Sequence, residues 1–313
     1  MTKKEILKQV FDILSQKRNN AISIAEQNIR VAMTNSEFVD LMTKERFLNF
    51  EIGKDRFEKK DISKKENELL KLKNSKDDIL NKMGLSINDL SPQFDCKKCQ
   101  DTGYFDNKLC TCAYQIYSNI LMQKCGVNLD DVPFLDDYDY KFFGDKDEIE
   151  FAKKCVNICK DYVSNLTITK FKNIVMSGGS GTGKTYLAKC VAKELVKKNY
   201  TTLFVSSFDI NNMFLEEHLS QSDKKTFLRD LVDIDVLVID DLGTEPMRKN
   251  VTKEYLLLLL NERISKDKST IMTTNLNPEQ ILDRYEERIF SRICNKRNTI
   301  LVEFKGKNNR LKK

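Results

Sequence analysis

The sequence predicts an α/β protein whose core is a parallel sheet flanked by helices, and three observations lead there. Apolar, β-rich runs recur at 173–177, 201–206, 236–240, 269–274 and 298–304, with helical patterning in the intervals. Such alternation is the mark of strands joined by crossover helices. A glycine-rich string links the first of these runs to a helical stretch, while the N-terminal 90 residues carry helical periodicity alone.

Composition bounds the rest. With 313 residues, 40% hydrophobic and 32% charged, the chain can bury a full core and is expected to hold two or three domains. No apolar run approaches the roughly 18 residues that a membrane span needs. The opening Met-Thr-Lys-Lys-Glu-Ile leads into an amphipathic pattern and not into a secretory apolar core, so no membrane partner is expected. Nine cysteines in such a chain read as reduced thiols plus a metal site, which makes the cytoplasm the expected compartment. The net charge of +6 is unevenly placed. Residues 1–95 carry 18 Lys+Arg against 16 Asp+Glu, whereas 246–313 carry 16 against 8, so the cationic surface is expected in the C-terminal half.

In the N-terminal region Ile6, Val10 and Leu14 fall at helical spacing, as do Leu69, Leu72, Ile79 and Met83 over about 62–84. Charged amphipathic helices follow from this, either as a solvated bundle or as an arm that docks on another protein. Balanced charge with Leu, Ile and Phe stripes suits protein contact better than phosphate contact. Gly84, Ser91-Pro92 and the change of composition at Asp95 mark a boundary. The expected domains are a helical partner-binding region at 1–90, a four-cysteine zinc module at 91–115, an acidic linker at 116–150 and a nucleotide-binding domain at 151–313. The linker holds Asp130, Asp131, Asp136, Asp137 and Asp139 but lacks the glycine and terminal glutamate of a calcium-binding EF-hand loop.

Cys96-x-x-Cys99 and Cys110-x-Cys112 offer four soft ligands on two short loops, with Gly103 allowing the connection to turn back. That is a full tetrahedral set for Zn²⁺ and leaves no open position, so the metal should be structural. The alternative is a chance grouping, since Cys125, Cys155, Cys159, Cys190 and Cys294 sit among ordinary core positions.

The most specific motif is Gly178-Gly179-Ser180-Gly181-Thr182-Gly183-Lys184-Thr185, which matches G-x-x-x-x-G-K-[ST] between the apolar run Asn173–Ser177 and a helix continuing through Leu195. Glycines let main-chain N–H groups curl around a β-phosphate, Lys184 reaches the β- and γ-oxygens, and the Thr185 hydroxyl ligates Mg²⁺ at the positive end of the helix. ATP with Mg²⁺ is the implied ligand. The run Val236–Ile239 ends in Asp240 and Asp241. Asp240 completes the magnesium site with Thr185, and Asp241 stands where a glutamate usually deprotonates the attacking water. The shorter side chain predicts slow hydrolysis. Thr273-Thr274-Asn275 closes the next run and can bring Asn275 to the γ-phosphate, although a bare Thr-Asn there also reads as a capping turn. Arg288 and Arg292, four residues apart, share one helical face. One of them, with Arg292 favoured and Arg288 in support, is a candidate finger for a neighbouring subunit's γ-phosphate, against the plain alternative of surface charge. Tyr138, Tyr140, Phe142 and Phe143 offer rings to an adenine but read more simply as packing. His218, the single histidine, supports no catalytic constellation.

At these residues the chain resembles the DnaC/DnaI family of bacterial replicative helicase loaders, within the wider group that contains the IstB transposition ATPases. The likeness spans about 150–310. It rests on the glycine loop, Ile239-Asp-Asp-Leu-Gly243, Thr273-Thr-Asn275, Tyr285-Glu-Glu-Arg-Ile-Phe-Ser-Arg292 and Phe304-Lys-Gly306. The resemblance implies a P-loop AAA+ core lacking the C-terminal helical lid, which accords with only about nine residues after the last run. It also implies ATP hydrolysis, binding of single-stranded DNA, self-association in the ATP state, and an N-terminal region that grips a DnaB-type hexameric helicase. The other readings are a transposition target-selection ATPase like IstB and an ATP-binding zinc adaptor without useful turnover.

Overall fold

The computed structural model describes residues 3–141, 143–144, 146–219 and 226–305. They divide into two compact units, one of Gln9–Cys112 and one of Ala113–Lys313 together with Met1–Lys8.

The helices of the N-terminal half are α1 (Lys3–Ala32), α2 (Ser36–Phe57) and α3 (Ser63–Lys82). Asn35 starts α2 by accepting a hydrogen bond from the Phe38 amide at 3.0 Å, which satisfies one of the free N–H groups at the helix end. Ala32, Phe38, Ile79 and Leu80 then form a small core with Leu41, Met42, Met83 and Leu85 against it. Ile6, Val10 and Leu14 of the predicted stripe are buried, and Leu69 and Leu72 are half-buried. The hairpin β1 (Tyr104–Phe105) and β2 (Lys108–Leu109) follows. Gly103 precedes it at φ +80, where a Cβ would lie 2.7 Å from the Phe11 ring.

The second unit continues with α4 (Thr111–Lys124), α5 (Lys146–Ser164), β3 (Asn173–Gly178), α6 (Lys184–Lys197), β4 (Thr202–Ser206), α7 (Ser207–Leu219), α8 (Thr226–Asp233), β5 (Val236–Leu242), α9 (Thr252–Ser265), β6 (Ser269–Thr274), α10 (Pro278–Ile293) and β7 (Thr299–Phe304). β3 to β7 make one parallel sheet in the order β4-β5-β6-β3-β7, with helices between successive strands. This is the predicted α/β architecture, its strand ends lying within a residue or two of those expected. Strands buried on both faces read as continuous apolar runs, and Val236–Ile239 and Ile174–Met176 are essentially inaccessible to solvent.

One expectation met a different structure. The acidic stretch 116–150 is not a bare connector. α4 buries Tyr117, Leu121 and Met122, and Val132, Leu135 and Tyr138 are buried beyond it, while Asp130, Asp131, Asp136 and Asp137 face solvent. Lys193 and Glu194 of α6 hold this segment by hydrogen bonds to the Val132 carbonyl and from the Leu135 amide. Its apolar residues are spaced among the aspartates, so average composition hides them. In addition, α10 is broken at Glu286, whose φ of 65° and ψ of 164° interrupt the helix just after Tyr285. Phe142, Gly306 and the residues bearing on a C-terminal lid lie outside the described residues, as does part of the C-terminal cationic surplus.

Candidate nucleotide site and cysteine cluster

In an open parallel sheet, ligands gather beyond the carboxyl ends of the strands. All five strands here end on the same edge, and the loop 178–183 leaves β3 at that edge and runs into α6. Gly178 has φ +137, and a Cβ there would sit 2.2 Å from the Phe304 carbonyl oxygen of neighbouring β7. Only glycine permits that close approach of strand and loop. Gly181 and Gly183 also have positive φ, and Gly183 occupies the N-cap position of α6.

β6 lies between β3 and β5, so its C-terminal residues are inserted between the glycine loop and the two aspartates. Lys184, 6% exposed, donates to the carbonyls of Gly178 at 2.7 Å and Gly179 at 2.6 Å and to Asn275 Oδ1 at 3.0 Å. Asn275 Nδ2 donates to Asp241 Oδ1 at 2.9 Å. The Thr185 hydroxyl donates to Asp240 Oδ1 at 2.9 Å. Thus Lys184, Asn275 and Asp241 form one chain of contacts, and Thr185 and Asp240 another.

Thr273 ties the two aspartates together. Ile239 pairs with Met272 and Leu242 with Thr274, so Asp240 and Asp241 stand opposite Thr273 alone, in a β-bulge. The Thr273 hydroxyl donates to Asp240 Oδ1 at 2.6 Å and accepts the Asp241 amide at 2.8 Å. Asp241 adopts φ 57°, a left-handed conformation that aspartate tolerates better than most residues. The bulge turns two successive carboxylates toward one cleft, where an unbroken strand would point them to opposite faces.

That cleft has a volume of about 480 Å³ and is lined by Ser180 through Tyr186, Asp240, Asp241, Thr273 and Asn275, with Tyr138 and Phe143 at its side. Tyr138 packs edge-on against Tyr186 with ring centroids 5.2 Å apart. The structure therefore gathers the predicted loop, Lys184, Thr185, Asp240, Asp241 and Asn275 around one space. Arg288 and Arg292 do not line it. Arg288 is exposed, and Arg292 donates through Nε to Asn261 Oδ1 at 2.7 Å. Sequence reasoning gave no role to Thr273, although hydroxyl-bearing residues in a strand buried along its whole length were a signal.

In the N-terminal half Cys96, Cys99, Cys110 and Cys112 converge, their sulfurs all within 4.8 Å of one another. A tetrahedral Zn²⁺ with bonds of about 2.3 Å requires sulfur separations of roughly 3.8 Å. Cys96 and Cys110 are 3.8 Å apart, and Cys99 and Cys112 are 3.4 Å apart. Asp101, 2% exposed, braces the first loop by accepting the Asp95 and Cys96 amides at 2.9 Å each. Burial, with hydrogen bonds from the neighbouring thiols, pushes the Cys112 thiol well above its ordinary range. A bound cation would reverse that by favouring thiolates. The donor set thus fits a structural zinc.

The sheet, glycine loop and paired acidic strand end define an ATP-binding P-loop protein of the AAA+ type. The chain belongs to the IstB-like ATP binding protein family, whose model matches residues 121–312. It is 30% identical over 147 residues to the replicative helicase loader DnaC of Escherichia coli, covering 47% of this chain and 59% of that one. It is also 30% identical over 131 residues to the uncharacterized protein YdaV of Escherichia coli, covering 42% and 52%. With the replicative helicase loader DnaI of Bacillus subtilis it shares 28% identity over 116 residues, 36% of each chain. The chain thus spans about half the length, or less, of these curated relatives. Among solved structures, that of the DnaC helicase loader is 25% identical with a TM-score of 0.47, covering 55% of this chain and 96% of the other. No helix among the described residues is long and apolar enough to cross a membrane.

Proposed function

We propose that the protein is a magnesium-dependent ATPase that places a DnaB-type hexameric replicative helicase on single-stranded DNA. The observation that carries the ATPase part is the bonded pair of chains in one cleft, Lys184–Asn275–Asp241 and Thr185–Asp240–Thr273. Main-chain amides of 179–183, at the positive end of α6, take the phosphates. Lys184 exchanges its carbonyl partners for phosphate oxygens and neutralises charge on them. Thr185 and Asp240 would hold Mg²⁺, which supplies charge compensation between the phosphates. Asn275 positions the attacking water, and Asp241 accepts its proton. The aspartate is one methylene shorter than the usual glutamate, which makes turnover slow.

The helicase part rests on the likeness to DnaC and DnaI, named replicative helicase loaders, and on the division of charge along the chain. In this reading residues 1–90 hold the helicase, 91–115 form a zinc-stiffened module, and 151–313, with its C-terminal cationic surplus, binds single-stranded DNA and self-associates in the ATP state. Arg292, supported by Arg288, reaches the γ-phosphate of the adjacent subunit. The test is retention of the purified replicative helicase by the full chain, with and without ATP. Retention with single-stranded DNA-stimulated phosphate release supports the reading, and a full chain that holds ATP but no helicase overturns the loader part.

The family model's IstB name favours a second reading, a target-selection ATPase that binds duplex DNA and a transposase. Asp241 favours a third, an adaptor that binds ATP without useful turnover. Phosphate release from the parent and from Asp240→Asn separates the third from the first, since equal rates would mark an adaptor.

A further inference from the structure

Beside the cleft lies a buried carboxylate to which the proposed reaction gives no part. Glu245 is 3% exposed and stands four residues after Asp241. Its Oε2 accepts the Gly243 amide at 2.9 Å, which fixes the turn that leaves β5. Its Oε1 accepts the Tyr285 hydroxyl, and the Arg284 guanidinium lies 3.7 Å from the same oxygen while donating to the Glu245 carbonyl. Tyr285 is wholly buried and is the last residue before the break at Glu286, after which the helix restarts and carries Arg288 and Arg292.

The same turn is tied to the cleft. Thr244 donates through its amide and hydroxyl to the Asp241 carbonyl, at 3.2 and 2.9 Å, and Ser207 donates to it at 2.8 Å. Gly243 has φ +108, and a Cβ there would lie 2.6 Å from the side chain of Leu276, the neighbour of Asn275. A shift of Asp241 or Asn275 therefore displaces the Gly243–Glu245 turn. A buried carboxylate with three partners resists moving away from any one of them. The non-helical backbone at Glu286 lets the 287–293 segment take a direction of its own, and the anchoring of Tyr285 is one of the contacts that set it, beside the burial of Ile289 and Ile293 and the Arg292–Asn261 bond.

We infer that Glu245 and Tyr285 are positioning residues that link the state of Asp241 and Asn275 to the presentation of Arg288 and Arg292 to a neighbouring copy of the chain. The inference rests on the ATPase reading with an arginine supplied in trans. It makes the nucleotide in one cleft a determinant of catalysis in the next.

The test uses Tyr285→Phe, which keeps the buried ring, and Glu245→Gln, which keeps the shape, in the full-length protein. Losing a hydrogen bond to a charged group changes an equilibrium by about tenfold or more. Turnover is expected to fall by that order while Mg-ATP affinity stays near that of the parent and the thermal midpoint drops by no more than about 10 °C, leaving the protein folded at the assay temperature. Mixing Tyr285→Phe with Asp241→Asn subunits, which bind ATP without hydrolysing it and have an intact arginine segment, should raise hydrolysis above either variant alone. Parental turnover in both variants would overturn the inference. So would a loss of turnover that tracks a loss of ATP affinity with no rescue on mixing, the mark of a merely structural contact. If the parent itself releases no phosphate, the ATPase reading fails and not the link.

Discussion

Thr273 carries more of the site than its place in the sequence suggested. A single hydroxyl opposite a bulge donates to Asp240 and accepts from the Asp241 main chain, so it sets the position of the proposed metal ligand and of the proposed base together. Thr273→Val keeps the shape and removes both bonds. Steady-state phosphate release should fall at least about tenfold while the fold is retained, because both carboxylates lose the hydroxyl that fixes their position; a rate within twofold of the parent would show the bulge to be held by packing alone. Gly178→Ala tests the other close contact. Its Cβ would meet the Phe304 oxygen at 2.2 Å in a backbone conformation foreign to alanine, and a loss of at least about 2–3 kcal/mol is expected from thermal or denaturant unfolding. These two residues show what was legible. The glycine loop, Lys184, Thr185 and Asp240 announce themselves because phosphate binding demands fixed types at fixed spacing. Thr273 is silent because its role depends on a register shift between β5 and β6, and pairing register is a property of two segments that no local pattern records.

At the scale of elements, the sheet edge opposite the cleft is held by two polar clusters. Arg263 of α9 is fully buried and donates to Leu231, Ile234 and Ser269 carbonyls and to the Thr270 hydroxyl, joining the ends of α8, β5 and β6. Burial lowers its pKa to about 9. Arg263→Ala strands those carbonyls and should cost about 3–5 kcal/mol of stability, measurable by urea unfolding. Beside it Asp235 accepts from the Thr201 amide and hydroxyl and pairs with Lys268 at 2.7 Å. Burial alone would raise the Asp235 pKa, but the hydrogen bonds from Lys268 and Thr201 outweigh it, and the carboxyl is held below its ordinary value. A depressed folded-state pKa contributes stability above the unfolded value of about 3.9 and loses it as pH falls through the folded value. Stability should therefore drop below about pH 4, and less steeply in Asp235→Asn; parallel acid profiles would refute this role. The strands themselves were plain in the sequence, since burial on both faces leaves unbroken apolar runs. The helix break at Glu286 was not, because neither glycine nor proline marks it, and the buried segment within 116–150 was masked by its aspartates.

For the whole molecule, the two compact units carry two separable chemistries. The four-cysteine cluster belongs to one and the nucleotide cleft to the other. One zinc per chain is expected from elemental analysis, and strong chelation should lower the melting temperature of the Gln9–Cys112 unit; a metal-free protein with unchanged melting would reduce the cluster to ordinary thiols. The spacing of those cysteines was readable at once, whereas their bracing by buried Asp101 required the folded loop. The proposal of slow ATP turnover stands on the cleft above all. The most direct measurement is calorimetric titration of the parent and of Lys184→Ala with ATP in the presence and absence of Mg²⁺. The account predicts magnesium-dependent binding that Lys184→Ala weakens by at least about a hundredfold, the loss of a charge-assisted contact in a site built around it. Equal affinity of the two proteins, or binding indifferent to magnesium, would contradict it.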